Sequence, residues 1–415
     1  MRVLFMLHAH PDLQAGGTEI FARDLFRTLR ARDIDGLFVA ATAAHQRPAS
    51  PGTPFQSIGS AADELLVWTG GFDPFFQSQI DLHGVGNTIA DLLIEQQPDI
   101  VHFHHLMGLG CELIGLIRRC APRARIVMTL HDYYPLCAND GQMVTTAGQL
   151  CERAQPDACR QCFSDRSLTD FKLRELHIRG ALDQVDLLVS PSEFLKQRYV
   201  AHGFSADRIA VIPNGLPHQS PAPARPTDRR DHFAFFGHIN RFKGANVALE
   251  ASAILSRQGF QHSLAIRGGT SFQTEETIAR FRAKCDQAPD AQYHGPYRRN
   301  DFARHVAAAD WVIFPSEWWE NAPLVINEAF QHWRPVICSA LGGAAELVTD
   351  GVNGLHFPVS DPKALAAAMR RAVEEKELWQ RLVDGIRPPV GIGESADRHL
   401  AVYETLLFGA ERAAA

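Results

Sequence analysis

The sequence predicts an α/β protein with two doubly wound, Rossmann-like domains that face each other across a cleft. Its 415 residues are too many for one ordinary hydrophobic core. Continuous apolar runs, typical of buried parallel strands, alternate with amphipathic helical stretches almost throughout. One proline-rich, charged stretch interrupts this alternation near the middle of the chain. These observations predict two domains of the same class.

The first domain is predicted to span residues 1–216. Its strands are predicted from apolar runs at 2–8, 36–42, 99–105, 125–131, 186–190 and 209–213. Its helices are predicted from amphipathic stretches at 17–31, 85–97, 168–184 and 192–202.

A linker is predicted over residues 217–231, which contain four prolines and a charge cluster but no apolar run. The alternation restarts after it and predicts a second domain over 232–390. Its strands are expected at 232–237, 262–268, 310–316 and 334–339, and its helices near 244–257, 272–286, 322–332 and 361–383. The segment 391–415 carries a last helix, 396–409, expected to pack back on the first domain.

Composition excludes several classes of protein. The net charge of −6 gives no basis for wholesale nucleic-acid binding. No run of 18 apolar residues is present, so we expect no membrane-spanning helix. The opening "MRVLFMLHAHPD" reads as a first buried strand rather than a leader, so we expect a cytoplasmic protein with reduced thiols.

Loops after three predicted strands have the composition of ligand sites. Gly16 and Gly17 stand between a strand and a helix, where free amides and the helix dipole favour an anion. A plain strand-to-helix turn is the alternative. In "FFGHINRFKGANVALEA", Arg241 and Lys243 follow the strand that ends at Gly237, which suits a diphosphate. A solvated basic loop is the alternative there.

The third loop lies in "PSEWWENAPLVINEAF", residues 315–330. Pro323 suits the first turn of a helix, which leaves Glu320 in the loop before it and puts Glu328 about two turns in. Carboxylates accept hydrogen bonds from paired sugar hydroxyls. Taken separately, Glu328 could be a solvated helix residue, and Glu320 a charge that favours the helix dipole.

A glycine series at Gly108, Gly110 and Gly115, followed by Asp132, imitates a dinucleotide fingerprint. The third glycine of that fingerprint belongs at position 113, which is Leu113. A nicotinamide-dependent dehydrogenase is therefore disfavoured.

Four cysteines with the spacing C-x13-C-x7-C-x2-C lie in a polar insertion, residues 133–166. They are Cys137, Cys151, Cys159 and Cys162. This set suits a structural tetrahedral zinc, although the spacing is not that of a standard zinc finger. Free buried cysteines or a redox-active pair are the alternatives.

Histidines cluster at two predicted strand ends. His102, His104 and His105 are interpreted as hydrogen-bonded strand-end residues rather than metal ligands. His131, which precedes Asp132, is predicted to contact substrate.

These motifs, in this order, resemble retaining glycosyltransferases of family 4, which have the GT-B fold and an E-x7-E segment. Residues 315–330 match that segment, and "RPVICSALGGAAELVTDGVNGLHFPVSDPKALA" matches the tail after it. The upstream "FFGHINRFKG", "VIPNG", "DIVHFH", "HD" and "GGTE" match as well. The resemblance covers nearly the whole chain.

The resemblance implies transfer of a sugar from a nucleotide-diphosphate sugar, with Glu328 on the ribose and Glu320 on the donor sugar. Lys243 would bind the diphosphate, Gly17 would approach it from the other domain, and His131 would contact the donor sugar. The implied catalytic set is His131, Lys243 and Glu320. The implied donor-binding set is Gly16, Gly17, Gly237, His238, Arg241, Lys243, Glu320, Asn321, Ala322, Pro323, Leu324 and Glu328.

One position departs from the family pattern, because His238 stands where arginine often follows the strand-ending glycine. A neutral imidazole would stabilise a leaving diphosphate less, and Arg241 is the candidate for the missing cation. The donor half has no Asp-x-Asp motif, so we expect no cofactor and no catalytic metal. The implied chemistry is same-face attack with retention at the anomeric carbon.

The sequence does not identify the acceptor. The resemblance to the family implies a lipid-linked or polysaccharide acceptor. The helix 17–31 mixes apolar residues with Arg23, Arg27 and Arg30, and a peripheral contact with the inner face of the membrane is one interpretation. A sheet-packing helix with a solvated back is the other. A nucleotide-sugar-binding protein without transfer activity is the alternative function.

Overall fold

The computed structural model describes residues 1–271 and 273–409, which form two compact units. The first unit comprises Met1–Pro217 together with the segment from Val390 onward, and the second comprises His218–Pro389. In the described residues no helix is long and apolar enough to cross a membrane.

The strands of the first unit are β1 (Arg2–Leu7), β2 (Asp35–Thr42), β3 (Phe55–Ser57), β4 (Glu64–Trp68), β5 (Phe72–Asp73), β6 (Ser78–Gln79), β7 (Ile100–Phe103), β8 (Arg125–Thr129), β9 (Leu187–Ser190) and β10 (Ile209–Val211). Its helices before the second unit are α1 (Gly17–Arg30), α2 (Asn87–Gln96), α3 (Glu112–Cys120), α4 (Pro156–Cys159), α5 (Leu168–Leu182) and α6 (Glu193–Ala201).

The main sheet of the first unit has the strand order β10-β9-β8-β7-β1-β2-β4-β3. All neighbours pair in parallel except β3 and β4. The strand order reverses between β1 and β7, and the loops after these strands leave from the same edge of the sheet. Ligands bind parallel sheets at this kind of edge.

Helix α1 buries its apolar stripe and pairs its basic face within the protein. Phe21, Leu25 and Leu29 are buried against the sheet. Arg23 binds the buried carboxylate of Glu64 through Nη2 at 2.7 Å, and Arg27 reaches the same carboxylate at 3.1 Å. Sheet packing therefore accounts for the apolar stripe and Glu64 for part of the basic face, while membrane contact stays a prediction.

The strands of the second unit are β11 (His232–Phe236), β12 (Ser263–Arg267), β13 (Ala291–Tyr293), β14 (Trp311–Phe314), β15 (Val336–Ser339) and β16 (Gly354–Phe357). Its helices are α7 (Ala245–Arg257), α8 (Glu275–Asp286), α9 (Phe302–Ala307), α10 (Leu324–Gln331), α11 (Gly342–Leu347), α12 (Pro362–Glu374) and α13 (Leu378–Asp384).

The second sheet has the strand order β13-β12-β11-β14-β15-β16, with every pairing parallel. This is the doubly wound Rossmann order, in which the chain direction across the sheet reverses between β11 and β14. Two sheets of this class confirm the predicted fold class.

Several predicted elements differ from the observed ones. The stretch 361–383 forms two helices because Glu377 takes a left-handed conformation, with φ of 65°. The stretch 272–286 begins its helix at Glu275, and its first residue lies outside the described residues. Strands β13 and β16 were not predicted, because three or four residues carry too little apolar pattern.

The proline-rich segment 217–231 packs on the second unit instead of forming a free linker. Arg225 binds the buried carboxylate of Asp310 at 2.5 Å. The indole of Trp311 donates to the carbonyl oxygen of Arg230 at 2.9 Å. The charge cluster of this segment therefore compensates a carboxylate at the start of β14.

A last helix, α14 (Ile392–Phe408), belongs to the first unit and packs against α1. It begins four residues earlier than predicted. Ser395 Oγ donates to the carbonyl oxygen of Pro213 at 3.0 Å, and Arg32 donates to the carbonyl oxygen of Gly393 at 2.9 Å. Helix α14 is thereby attached to the first unit at both Pro213 and Arg32.

Helix α14 also buries a histidine cluster. The hydroxyl of Tyr403 lies 2.6 Å from His102 Nδ1, and the other ring nitrogen of His102 lies 2.7 Å from Thr129 Oγ1. These bonds match the interpretation of His102 as a hydrogen-bonded strand-end residue. Burial lowers the pKa of His102 and His104 well below the usual value and the pKa of His399 to about 4.

Acid should therefore destabilise the first unit through these histidines. Because the pKa of His399 is lowered on folding, its contribution is complete above about pH 6.5 and is lost as pH falls toward 4. Between pH 7 and pH 5, the free energy of unfolding of the wild type should fall by about 2 kcal/mol more than that of His399→Gln. Urea titrations followed by far-UV circular dichroism measure both slopes.

His45→Gln is the matched control, because His45 is exposed and should leave the pH dependence unchanged. Equal pH slopes in the wild type and His399→Gln would contradict the assignment.

Candidate active site

The candidate site of the second unit lies at the carboxyl ends of β11 and β14. These strands are hydrogen-bonded neighbours at the point where the strand order reverses. Loops from neighbouring parallel strands leave the same edge, so residues far apart in sequence meet there. The loop 237–244 follows β11 and the loop 315–323 follows β14.

The first of these loops is shaped by Asn240 and Gly244. The Asn240 side-chain oxygen accepts from the backbone amides of Phe242 at 2.9 Å and Lys243 at 3.0 Å, which fixes the turn before Lys243. Gly244 has a φ of 71°, and a Cβ atom there would lie 1.8 Å from the carbonyl oxygen of Pro315. Only glycine allows the two loops to approach this closely.

Three donors converge on one carboxylate oxygen, Oε1 of Glu320. They are Lys243 Nζ at 2.7 Å, the Trp318 indole at 2.7 Å and Ser316 Oγ at 2.8 Å. The Glu320 side chain is almost fully buried, whereas that of Lys243 is about a quarter exposed. Among the described residues, no protein donor binds the second oxygen, Oε2. The arrangement holds an ionised carboxylate in place and leaves one oxygen for a ligand.

Glu328 lies closer to the helix start than predicted. Helix α10 begins at Leu324, after Pro323 in the capping position, so Glu328 lies about one turn in rather than two. Its carboxylate is 3.8 Å from the guanidinium of Arg299 and mostly buried. Burial, and then the charge of Glu328, raises the pKa of the neighbouring Tyr297.

The backbone that follows Glu320 contacts the start of α11. The amide of Gly343 donates to the carbonyl oxygen of Glu320 at 2.6 Å. A Cβ atom on Gly343 would lie 1.9 Å from the carbonyl oxygen of Asn321. Ala322 and Leu324 lie at the start of α10, where the first backbone amides of a helix have no intrahelical acceptor.

His238 and Arg241 lie on the same loop as Lys243 but differ in charge. Burial, and then the charge of Lys243, lowers the pKa of His238, so its imidazole is neutral at pH 7. Arg241 is exposed, lies over the ring of Phe242 at 5.0 Å and makes no ion pair among the described residues. Lys243 and Arg241 are therefore the cations of this loop.

The first unit carries the other predicted residues, described here within that unit. Gly16 caps α1 and Gly17 is its first residue. A Cβ atom on Gly16 would lie 2.6 Å from the buried carboxylate of Glu19, which pairs with His8 at 2.9 Å. A larger residue at position 16 would therefore displace the carboxylate of Glu19.

His131 follows β8 and contacts a second histidine. Its Nε2 lies 3.0 Å from Nδ1 of His104. Burial lowers the pKa of His131 to about 3, so its ring is neutral at pH 7. The next residue, Asp132, accepts from His105 at 2.9 Å. A neutral imidazole can donate or accept a hydrogen bond but brings no charge to a substrate.

The glycine series that imitates a dinucleotide fingerprint packs against protein. A Cβ atom on Gly110 would lie 2.5 Å from the backbone nitrogen of Gln79 and 2.6 Å from the carboxylate of Glu112. This glycine serves the packing of β6 against the start of α3.

The four cysteines are free thiols. Within residues 1–271 and 273–409, one group of three or more potential metal ligands has its atoms within 4.8 Å of one another. That group is Asp231, His232 and Asp310, not the cysteines. Its carboxylates already bind arginines, with Arg225 on Asp310 and Arg229 on Asp231, so their charge is compensated without a metal.

Sequence reasoning missed the residues that fix the geometry of the site. Ser316 and Trp318 orient Glu320, and Asn240 orients Lys243. Two glycine pairs, at 268–269 and at 342–343, follow strands of the second unit. They were an available signal for close approach of the backbone at the site. A Cβ atom on Gly268 would lie 1.7 Å from the carbonyl oxygen of Gly237. No local signal marks Ser316 or Trp318 as partners of Glu320.

Comparisons with known proteins cover both units. The sequence model "Glycosyltransferase Family 4" matches residues 15–220, and "Glycosyl transferases group 1" matches residues 230–375. The chain is 28% identical to a D-inositol 3-phosphate glycosyltransferase of Xylanimonas cellulosilytica over 415 residues, which covers 94% of this chain and 91% of the relative.

Two solved structures share the fold over almost the whole chain. Sucrose-phosphate synthase from Thermosynechococcus elongatus superposes with a TM-score of 0.72 at 18% identity and covers 98% of this chain and 99% of its own. Anabaena HepE, solved in complex with UDP, gives a TM-score of 0.71 at 16% identity and covers 98% and 100%. Together with the matched sequence models, they show that this chain belongs to the family-4-like glycosyltransferases with the GT-B fold.

Proposed function

We propose that the protein is a retaining glycosyltransferase that moves a sugar from a nucleotide-diphosphate sugar to a hydroxyl of an acceptor. The observation that carries the proposal is the convergence of Lys243, Trp318 and Ser316 on Glu320 at the carboxyl ends of two central strands. This edge of a doubly wound sheet is where nucleotides bind.

Lys243 is suited to the diphosphate of the donor. An ammonium group has three donors, so Lys243 can keep Glu320 and still bind a phosphate oxygen. Arg241 adds a second, exposed cation on the same loop. Positive charge at this position stabilises the charge that develops on the leaving diphosphate.

The glutamates are suited to hydroxyl pairs on the two sugars of the donor. We assign Oε2 of Glu320 to the transferred sugar, because Oε1 is occupied by protein donors. We assign Glu328 to the ribose, with the first amides of α10 between the two carboxylates. Anabaena HepE was solved with UDP, which supports UDP as the nucleotide here.

Retention at the anomeric carbon is proposed through same-face attack. We assign no enzymic carboxylate nucleophile, because both glutamates of this site are assigned to hydroxyl groups of the donor. The protein would act by positioning both substrates and stabilising the leaving group. We also propose that donor binding needs no metal, since Lys243 and Arg241 supply cations.

The roles of Gly17 and His131 in the first unit stay predictions, as does a lipid-linked or polysaccharide acceptor. The named relatives act on D-inositol 3-phosphate, so this acceptor belongs in the first acceptor panel. Product anomers are read by proton NMR, and an inverted product would overturn the retaining assignment.

Glu328→Gln should weaken donor binding. One nucleotide of the series UDP, GDP and ADP, free and as its sugar nucleotide, should raise the melting temperature of the wild type by mass action. Glu328→Gln should lose most of that shift, because its side chain brings a neutral amide to the ribose. Thermal-shift assays with and without EDTA measure both effects.

Glu374→Gln is the control, because Glu374 is exposed on α12 and pairs only with Arg370 among the described residues. If no nucleotide stabilises the wild type, the donor assignment fails. If the donor binds but is neither hydrolysed nor transferred, the alternative of a nucleotide-sugar-binding protein without transfer is supported.

Lys243→Met should lower the turnover of the donor by about 10²- to 10³-fold, as is typical of removing one group that stabilises transition-state charge. Hydrolysis of the sugar nucleotide without acceptor measures this. Lys284→Met is the matched control, because Lys284 pairs with Glu250 at the surface. EDTA added at the start of the assay should leave the wild-type rate unchanged, and loss of that rate would contradict metal-independent catalysis.

A further inference from the structure

We propose that Cys137, Cys151, Cys159 and Cys162 bind one structural zinc ion, which orders the loop after His131. The site lies in the first unit and does not depend on the function proposed for the second. It is a structural site and takes no part in bond making or breaking.

The fold gathers the four thiols from a long segment. The amide of Cys151 donates to the carbonyl oxygen of Met143 at 2.8 Å, and the side chain of Asn139 donates to that of Val144 at 2.8 Å. Cys159 lines the same cavity as Leu136, although the four cysteines span 26 residues of sequence from 137 to 162. Since the ligand atoms are not yet grouped at metal-binding distance, zinc would have to draw the thiols inward. Cys137 is buried, and the other three side chains are half-buried.

A buried arginine beside the cysteines lacks a counter-charge. Arg174 is 4% exposed and donates to the backbone carbonyls of Tyr134 at 2.6 Å and Phe75 at 2.7 Å. No carboxylate within the described residues forms an ion pair with it, and its side chain lines one cavity with Cys159. A buried charge is costly when it is not compensated. Four thiolates on Zn²⁺ carry a net charge of −2 and would supply the compensation.

The segment that carries the four cysteines also contains little regular secondary structure. Between β8 and α5, the regular structure among the described residues is the one-turn helix α4 and an isolated bridge between Val144 and Leu150. Long segments without regular structure are uncommon in compact domains. Small modules of this kind usually need a cross-link such as a metal.

This segment is joined to the loop after His131 by direct hydrogen bonds. The amide of Tyr133 donates to the carbonyl oxygen of Gly141 at 3.2 Å, and the amide of Cys137 donates to that of Tyr133 at 2.8 Å. The amide of Tyr134 donates to the carboxylate of Asp132 at 2.7 Å. Zinc at the cysteines would therefore fix the backbone that follows His131.

The first test is metal analysis of the full-length protein, purified under reducing conditions without chelator. About one zinc ion per chain is expected, released by a mercurial that titrates the thiols. Protein reconstituted with Co²⁺ should show thiolate-to-cobalt charge-transfer absorption. The mercurial and Co²⁺ measurements use the wild type, so they remain decisive if variants do not fold.

Variants locate the ion. Cys159→Ser with Cys162→Ser should lose zinc, whereas Cys120→Ser, outside the cluster, should keep it. Removing zinc should speed proteolytic cleavage within residues 138–166, because this segment would open more often. Nucleotide binding by the second unit should persist, so failure of this proposal is distinguishable from failure of the donor assignment.

Two results would overturn the proposal. One is wild-type protein that holds no zinc as purified and takes up none when zinc is supplied under reducing conditions. The other is a disulfide between Cys159 and Cys162 in freshly purified protein, seen as a mass lower by two hydrogens, which would support the redox-pair interpretation.

Discussion

The ion pair between Lys243 and Glu320 is the interaction on which the candidate site depends. It joins two loops that are 77 residues apart in sequence but leave neighbouring strands. The pair forms only because Gly244 lets the first loop lie against Pro315 and Gly343 lets α11 lie against Asn321. A nearly buried carboxylate is costly unless donors bind it, and three donors do so here. The same three donors leave one oxygen of Glu320 for a ligand.

The two units differ in the charge of the side chains at their candidate site residues. In the second, the buried carboxylates include Glu320 at the carboxyl edge of the sheet and Asp310, which Arg225 and Arg230 compensate. The first buries neutral histidines under α14 and keeps His131 uncharged. A neutral His131 can contact a sugar hydroxyl without attracting an anion. Under the proposed function, the cations that bind the diphosphate are Lys243 and Arg241 of the second unit.

Arg174 and Glu64 show how the first unit handles buried charge. Glu64 is compensated by Arg23 and Arg27 on α1, so the basic stripe of that helix has an internal acidic partner. Arg174 is held by backbone carbonyls instead, and its side chain lines one cavity with Cys159. Carbonyls satisfy its hydrogen bonds but leave its charge without a carboxylate partner among the described residues.

The sequence by itself determined the fold class, the family and the strands that precede each candidate loop, because apolar runs and motif order are local signals. It also singled out Glu320, Glu328 and Lys243 by residue type. Only the tertiary structure decided that Lys243 pairs with Glu320, that α10 begins at Leu324 and that the segment 217–231 packs on the second unit. The pairing of Lys243 with Glu320 depends on which strands become neighbours. Strand order is set by the packing of whole elements, so the residues of one loop do not predict it.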